Sequence, residues 1–208
     1  MPLYKTITPN SQTVVKIWKI EESYNNLFAG IDLQPNSLER VLGMKSNMHQ
    51  RGFLSVRHLL LQFGYTDADL FYDSHGKPYL KDGKQISITH SFQFAAVIIS
   101  DFKVGIDIEK QRDKITVIAN KFVDYEFNYL DKNAVNYKNK LTVIWCVKES
   151  LYKLYATPGV SFKNYFLVIP FEIKDQQTVA WIDYNQTPLR YDVNFLEFDG
   201  FTCAYAMA

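Results

Sequence analysis

Val104-Gly105-Ile106-Asp107-Ile108-Glu109-Lys110 decides the reading of this chain. In a β-strand successive side chains point to opposite faces, so Val104, Ile106 and Ile108 share an apolar face and Gly105, Asp107 and Glu109 an acidic one. Two carboxylates two residues apart stand about 7 Å from one another, near enough to converge on one divalent cation. Gly105 removes bulk beside them, which suits close approach of a ligand. The competing reading is an amphipathic edge strand whose acids face water. The neighbouring sequence has to decide between the two.

Upstream, Phe94 to Ser100 is a strongly apolar strand, and a turn at Asp101-Phe102-Lys103 predicts that the acidic strand is its hairpin partner. Before it, Ile86-Ser87-Ile88-Thr89-His90-Ser91 alternates, with His90 on the apolar parity, where a satisfied core histidine is the alternative to a ligand. Pro78 stiffens the turn Asp73-Ser74-His75-Gly76-Lys77-Pro78-Tyr79-Leu80. Ser46 to Phe63 reads as a helix, with Phe53, Val56, Leu60 and Phe63 spaced 3-4-3 and Gly64 at its end. Arg51, His58 and the flanking Arg57 make either a phosphate contact or a solvated edge. Nearer the amino terminus, Val14 to Ile20 reads as a strand, Glu21 to Phe28 as a short helix, and Pro35-Asn36 as a turn.

Downstream, Ile115 to Asp131 reads as one helix with Phe122, Glu126 and Leu130 on one side, Glu126 being a third site carboxylate or a solvated residue. Asn133 to Asn139 is a loop. The helix Leu141 to Tyr155 has a core stripe of Ile144, Val147, Leu151 and Leu154, and places Trp145, Glu149 and Lys153 on the other face. An exposed face rarely needs a tryptophan, although Glu149 and Lys153 also have the spacing of an ordinary helix ion pair. The remainder, Phe166 to Phe171, Thr178 to Tyr184, Leu189 to Phe198 and, after a turn at Asp199-Gly200, Phe201 to Met207, alternates as antiparallel scaffold. The apolar quartet at 53, 56, 60 and 63 recurs 91 residues later at 144, 147, 151 and 154, as in two similar lobes.

The 208 residues, 47% hydrophobic, suit one generous domain or two small lobes, and the net charge of +1 gives no global attraction to nucleic acid or membrane. Cys146 and Cys203 have no framework spacing, which is consistent with a reducing cytoplasm. Met1-Pro2-Leu3-Tyr4-Lys5 lacks a signal-peptide layout, and no apolar run is long enough to span a bilayer.

Gly76-Lys77-Pro78, Thr89-His90-Ser91, Gly105-Ile106-Asp107-Ile108-Glu109, Phe122 with Glu126, and Trp145-x-x-Lys148-Glu149-x-x-x-Lys153 together resemble the 4′-phosphopantetheinyl transferases of the surfactin-synthetase (Sfp) type, in that family's order. The resemblance implies an α+β fold of two similar lobes about a pseudo-twofold axis, with mostly antiparallel sheets and packed helices. It divides the chain into residues 1–102, with the coenzyme A 3′-phosphate and adenine contacts, and 103–208, with the metal site and catalytic helix. It implies transfer of the 4′-phosphopantetheine of coenzyme A to a serine of an apo acyl or peptidyl carrier protein, releasing adenosine 3′,5′-bisphosphate, in a cytoplasmic monomer. Asp107, Glu109 and Glu149 would hold Mg2+, or Mn2+ in its place. Glu149 would be the base, with Glu126 as the alternative, and Lys153 would hold a pyrophosphate oxygen. His90 and Arg51 match the 3′-phosphate positions, Arg57 less firmly, while Lys77, Pro78 and Thr89 would also contact coenzyme A. A ligand-binding relative without turnover and a magnesium-dependent nucleotide pyrophosphate hydrolase are the alternatives. Basic residues between Lys110 and Lys121 offer a surface for an acidic carrier helix or are a solvated basic loop.

Overall fold

Alternation and helical periodicity sort the described residues into eleven strands and six α-helices. The structure, a computed structural model, describes residues 3–208, and Met1 and Pro2 of the amino-terminal stretch read above lie outside the described residues. Two compact units divide the chain, Met1–Lys103 and Val104–Ala208. Every strand pairing is antiparallel, so the class is α+β. Among the described residues no helix is long and apolar enough to cross a membrane.

In the first unit, β1 (Leu3–Asn10), β2 (Thr13–Lys19), β6 (Phe94–Ser100) and β5 (Gln85–Ser91) form a sheet in the order β1-β2-β6-β5, and β3 (Leu70–Tyr72) pairs with β4 (Pro78–Leu80) as a separate ribbon. Helices α1 (Tyr24–Ala29) and α2 (Pro35–Leu42) precede α3 (Asn47–Gln62). Pro35 sits at the start of α2 because its missing N–H costs nothing there, so the expected turn is a helix start. Ser46 caps α3 by accepting from the His49 N–H, and Phe53, Leu54, Val56, Leu59 and Leu60 enter the core with Trp18, Val97 and Leu80.

The second unit has one sheet in the order β7-β11-β10-β9-β8, built from β7 (Val104–Lys110), β8 (Phe166–Val168), β9 (Gln177–Tyr184), β10 (Thr187–Phe198) and β11 (Phe201–Met207). Helix α5 (Tyr137–Tyr155) packs on it, with Ile144, Val147, Leu151 and Leu154 all buried. Helices α4 (Lys114–Ile118) and α6 (Phe162–Tyr165) are short.

Three further expectations are corrected. The acidic strand β7 is not the hairpin partner of β6: both edges of β6 are already taken, by β2 and β5, and β7 pairs instead with β11. The helix expected over 115–131 breaks after Ile118 into 3-10 turns at Ala119–Lys121 and Tyr125–Asn128, because Glu126 turns inward to a buried partner. Gly105 clears space for a helix and not for a ligand. A Cβ there would lie 1.8 Å from the Ser150 carbonyl oxygen on α5.

Cross-strand partners share a face, so Gly105, Asp107 and Glu109 lie beside Ala206, Ala204 and Thr202 of β11. These small neighbours and Gly105 let α5 settle close, and the acidic face of β7 is therefore the face that the helix covers. A Cβ at Gly105 cannot be absorbed by a side-chain rotation, since what it meets is backbone. Gly105→Ala is expected to cost about 3 kcal/mol or more in a urea unfolding curve; a parental midpoint would show that α5 can lift away freely.

Candidate active site

Three carboxylates and one ammonium meet where α5 crosses β7. Asp107 is only 5% exposed, and Lys153, one turn beyond Glu149 on α5, donates from Nζ to Asp107 Oδ1 at 2.8 Å and to the Ile106 carbonyl at 2.9 Å. The i, i+4 pairing of Lys153 with Glu149 is thus not its main engagement. Lys153 reaches across to the strand.

Glu149 and Glu109 are half-buried. Burial and then the charge of Asp107 push Glu149 up to about 7, with Glu109 adding to the shift and Lys153 opposing it. Burial works to lower the Lys153 pKa, but Asp107 and Glu149 raise it above the ordinary lysine value. The ammonium is therefore held charged while one carboxyl near it sits close to neutrality. Such a cluster can pass a proton near neutral pH, and its excess of carboxylate charge attracts a cation.

The donor set is all hard oxygen, which fits magnesium, a cation that takes one or two carboxylates and fills its remaining positions with water and phosphate oxygens. Among the described residues no group of three or more His, Cys, Asp or Glu side chains is arranged so that it could hold a metal ion. Asp107 and Glu109 both act on the charge of Glu149, the third carboxylate of the cluster.

Trp145 does not stand on an exposed face. It packs edge-on against Phe122 at 5.0 Å and Phe162 at 5.7 Å, partners supplied by segments remote in sequence. It also lines a groove with Glu109, Arg112, Lys114, Ile115 and Ile118, which joins the acidic cluster to an apolar floor with a basic rim. The basic residues of this rim belong to the Lys110–Lys121 stretch that the sequence marks, whereas Ile115 and Ile118 fall within the expected long helix that does not form.

Glu126 is placed away from this cluster. It is fully buried, paired with Lys148 at 2.7 Å, and accepts from the Val168 N–H at 2.9 Å.

The candidates of the first unit divide between its surface and its interior. His90 is exposed despite its apolar parity, and its ring lies over Gly52 of α3, where a Cβ would come within 3.2 Å. His49 is near it, ring centroids 6.4 Å apart. Arg51, one residue from that glycine, donates from Nη2 to the Ile20 carbonyl at 2.8 Å. Thr89 is buried. Lys77 and Pro78 sit in a turn organised by Asp73, whose Oδ1 accepts from the N–H of His75 and of Lys77, both at 2.8 Å. Gly76 takes φ 82° there, a conformation that disfavours side chains.

Arg57, expected as a ligand contact, is buried in the unit's interior. Its guanidinium lies 3.5 Å from the Phe53 ring centroid and donates from Nε to Asp67 Oδ1 at 2.9 Å, with Ser37 Oγ 3.4 Å from Nη2. His58 is likewise turned inward, stacked on Trp18 and hydrogen-bonded to the Leu27 carbonyl at 3.0 Å. No spacing rule marks Asp67 as the partner of Arg57, because the pair joins α3 to the separate 3-10 turn Asp67–Asp69.

Comparison with known proteins follows the same segments. Two curated relatives are similar to part of the chain: 4′-phosphopantetheinyl transferase gsp of Aneurinibacillus migulanus, 28% identical over 141 residues, covering 65% of this chain and 54% of that protein, and enterobactin synthase component D of Salmonella typhi, 30% identical over 111 residues, covering 52% and 47%. The chain thus spans about half the length of the curated relatives it matches. The family model of the 4′-phosphopantetheinyl transferase superfamily matches residues 103–206, from the start of the acidic strand through nearly all of β11. That match takes in half of the residues and the whole meeting of β7 with α5, and the chain belongs to the 4′-phosphopantetheinyl transferase superfamily.

Proposed function

We propose that this protein transfers the 4′-phosphopantetheine of coenzyme A to a serine hydroxyl of an apo acyl or peptidyl carrier protein. The observation that carries the reading is the cluster at the β7–α5 crossing, where Lys153 is bonded to Asp107 and Glu149 sits near neutrality beside both. Family membership supplies the reaction class.

In this reading Glu149 accepts the proton from the carrier serine as its Oγ forms a bond to the β-phosphorus of coenzyme A. The bond from that phosphorus to the bridging oxygen breaks, and adenosine 3′,5′-bisphosphate leaves with the electron pair. Lys153 holds a pyrophosphate oxygen as charge builds on the leaving group, a contact that strengthens in the transition state. Asp107, Glu109 and Glu149 would hold Mg2+, or Mn2+, which when bound neutralises the diphosphate. His90 and Arg51 are the contacts assigned to the 3′-phosphate, and the Lys77-Pro78 turn to the adenine. Glu126 has no place in this scheme, because a fully buried, ion-paired carboxylate cannot reach a carrier serine. The basic rim of the groove beside Glu109 suits the acidic helix of a carrier.

Incubating the protein with magnesium, coenzyme A and apo carrier should add about 340 Da to the carrier, the mass of the transferred arm. Asp107→Ala should reduce that addition at least about a hundredfold with the fold intact by circular dichroism. Release of nucleotide without any carrier would instead assign a hydrolase. Reversing Arg112 and Lys114 to glutamate should raise KM for the carrier about tenfold and leave KM for coenzyme A unchanged; equal effects on both would remove the groove from carrier docking.

The raised pKa of Glu149 also makes a pH prediction for the metal-free protein. The folded state keeps a proton up to about pH 7 that the unfolded chain, with its carboxyl near the ordinary value of 4.5, has already released. Stability from this group is therefore present at low pH and lost as pH rises through 7. Glu149→Gln should be more stable than the parent at about pH 8, and urea midpoints should converge by about pH 5. A constant difference across that window would mean that Glu149 is not raised.

A further inference from the structure

Glu126 and Lys148 are both 0% exposed and paired at 2.7 Å in the second unit. The ammonium also donates to the Phe122 carbonyl at 2.8 Å and to the Phe162 carbonyl at 3.3 Å, so its three protons meet three acceptors. The carboxylate in turn accepts from the N–H of Val168 at 2.9 Å and of Asp124 at 3.3 Å. Burial pulls the Lys148 pKa down and Glu126 partly offsets that. A buried pair is a poor source of net stability, since desolvation cancels most of the attraction, so its value has to be sought in geometry.

That geometry concerns the rotation of α5 about its own axis. Successive residues on an α-helix are about 100° apart, so Lys148 and Ser150 project from nearly opposite sides with Glu149 between them. On the Ser150 side the helix backbone lies directly against Gly105, with no strand side chain between them to key the rotation. On the Lys148 side the ammonium supplies a directional grip, tied to the 3-10 segment holding Glu126, to the turn at Phe122 and to Phe162 of α6, while Lys153 on the Glu149 side bonds to Asp107 and to the Ile106 carbonyl of β7. Rolling α5 by even a fraction of one residue step would break those bonds and turn Glu149 away from Asp107.

We propose that the Glu126–Lys148 pair is a positioning clasp that fixes the rotation of α5 and so aims Glu149 at the acidic strand. Its catalytic consequence rests on the transferase reading given above, but its mechanical role does not.

The test compares Glu126→Gln, Lys148→Met and the double variant. Each single change strands a buried charge and should lower Tm by about 6 °C or more, whereas the neutral double variant should recover most of that loss. Measurements are then made at a temperature where all variants retain native circular dichroism. Amide hydrogen exchange of residues 145–153 should be at least about tenfold faster in the singles and near parental in the double variant. In the transfer assay the singles should lose kcat with little change in KM for coenzyme A, and the double variant should regain kcat to within about tenfold.

Parental exchange in folded single variants would overturn the clasp whatever reaction the protein catalyses. A double variant with restored exchange and Tm but with kcat still at the level of the singles would also overturn it, by showing that Glu126 takes part in the chemistry.

Discussion

The contact of β7 with α5 at Gly105 governs the second unit. A helix normally packs at 8 to 10 Å, with side chains setting the distance. Here a residue without a Cβ opposes the helix backbone itself, and Ala204 and Ala206 of the neighbouring strand keep the surrounding floor low. The result is that the acidic face of a strand, which would otherwise be hydrated, lies beneath a helix. Burial and mutual repulsion then do the rest: Glu149 is held near neutrality, and Lys153 is drawn across to Asp107 as the compensating charge.

Two lysines five residues apart on one helix have opposite tasks. Lys153 keeps part of its length accessible and presents its ammonium at the cluster. Lys148 is wholly enclosed and spends all three protons on protein acceptors. Helical geometry separates them by five steps of about 100°, so one faces the strand and the other the segments outside the helix. A single helix thus carries both an ammonium that faces the acidic strand and one that ties it to the segments around Glu126 and Phe162.

The first unit uses the same residue types in a different way. Arg57 has the composition of a phosphate ligand but is consumed by Asp67, Ser37 and the face of Phe53. His90, formally on the apolar side of β5, is exposed near the strand's end and rests on Gly52. In both cases the neighbour that decides the role is distant in sequence: Asp67 lies in a 3-10 turn beyond α3, and Gly52 lies on α3.

Local sequence determined much of this protein. Alternation located β2, β5, β6, β7 and the four-strand carboxyl-terminal scaffold, the 3-4-3 spacing located α3 and α5, and the paired acids of β7 with the Trp-Lys-Glu-Lys helix marked the family. Each of these is set by nearest neighbours along the chain, through the 2.0 and 3.6 residue periods. Tertiary structure alone decided which edge β7 pairs with, why Gly105 is a glycine, and that Glu126 breaks a helix to reach Lys148. Those outcomes depend on which surfaces remain unoccupied once the sheets and helices have packed, and a buried charge takes whatever partner that packing brings within about 3 Å. No periodicity along the chain encodes that partner.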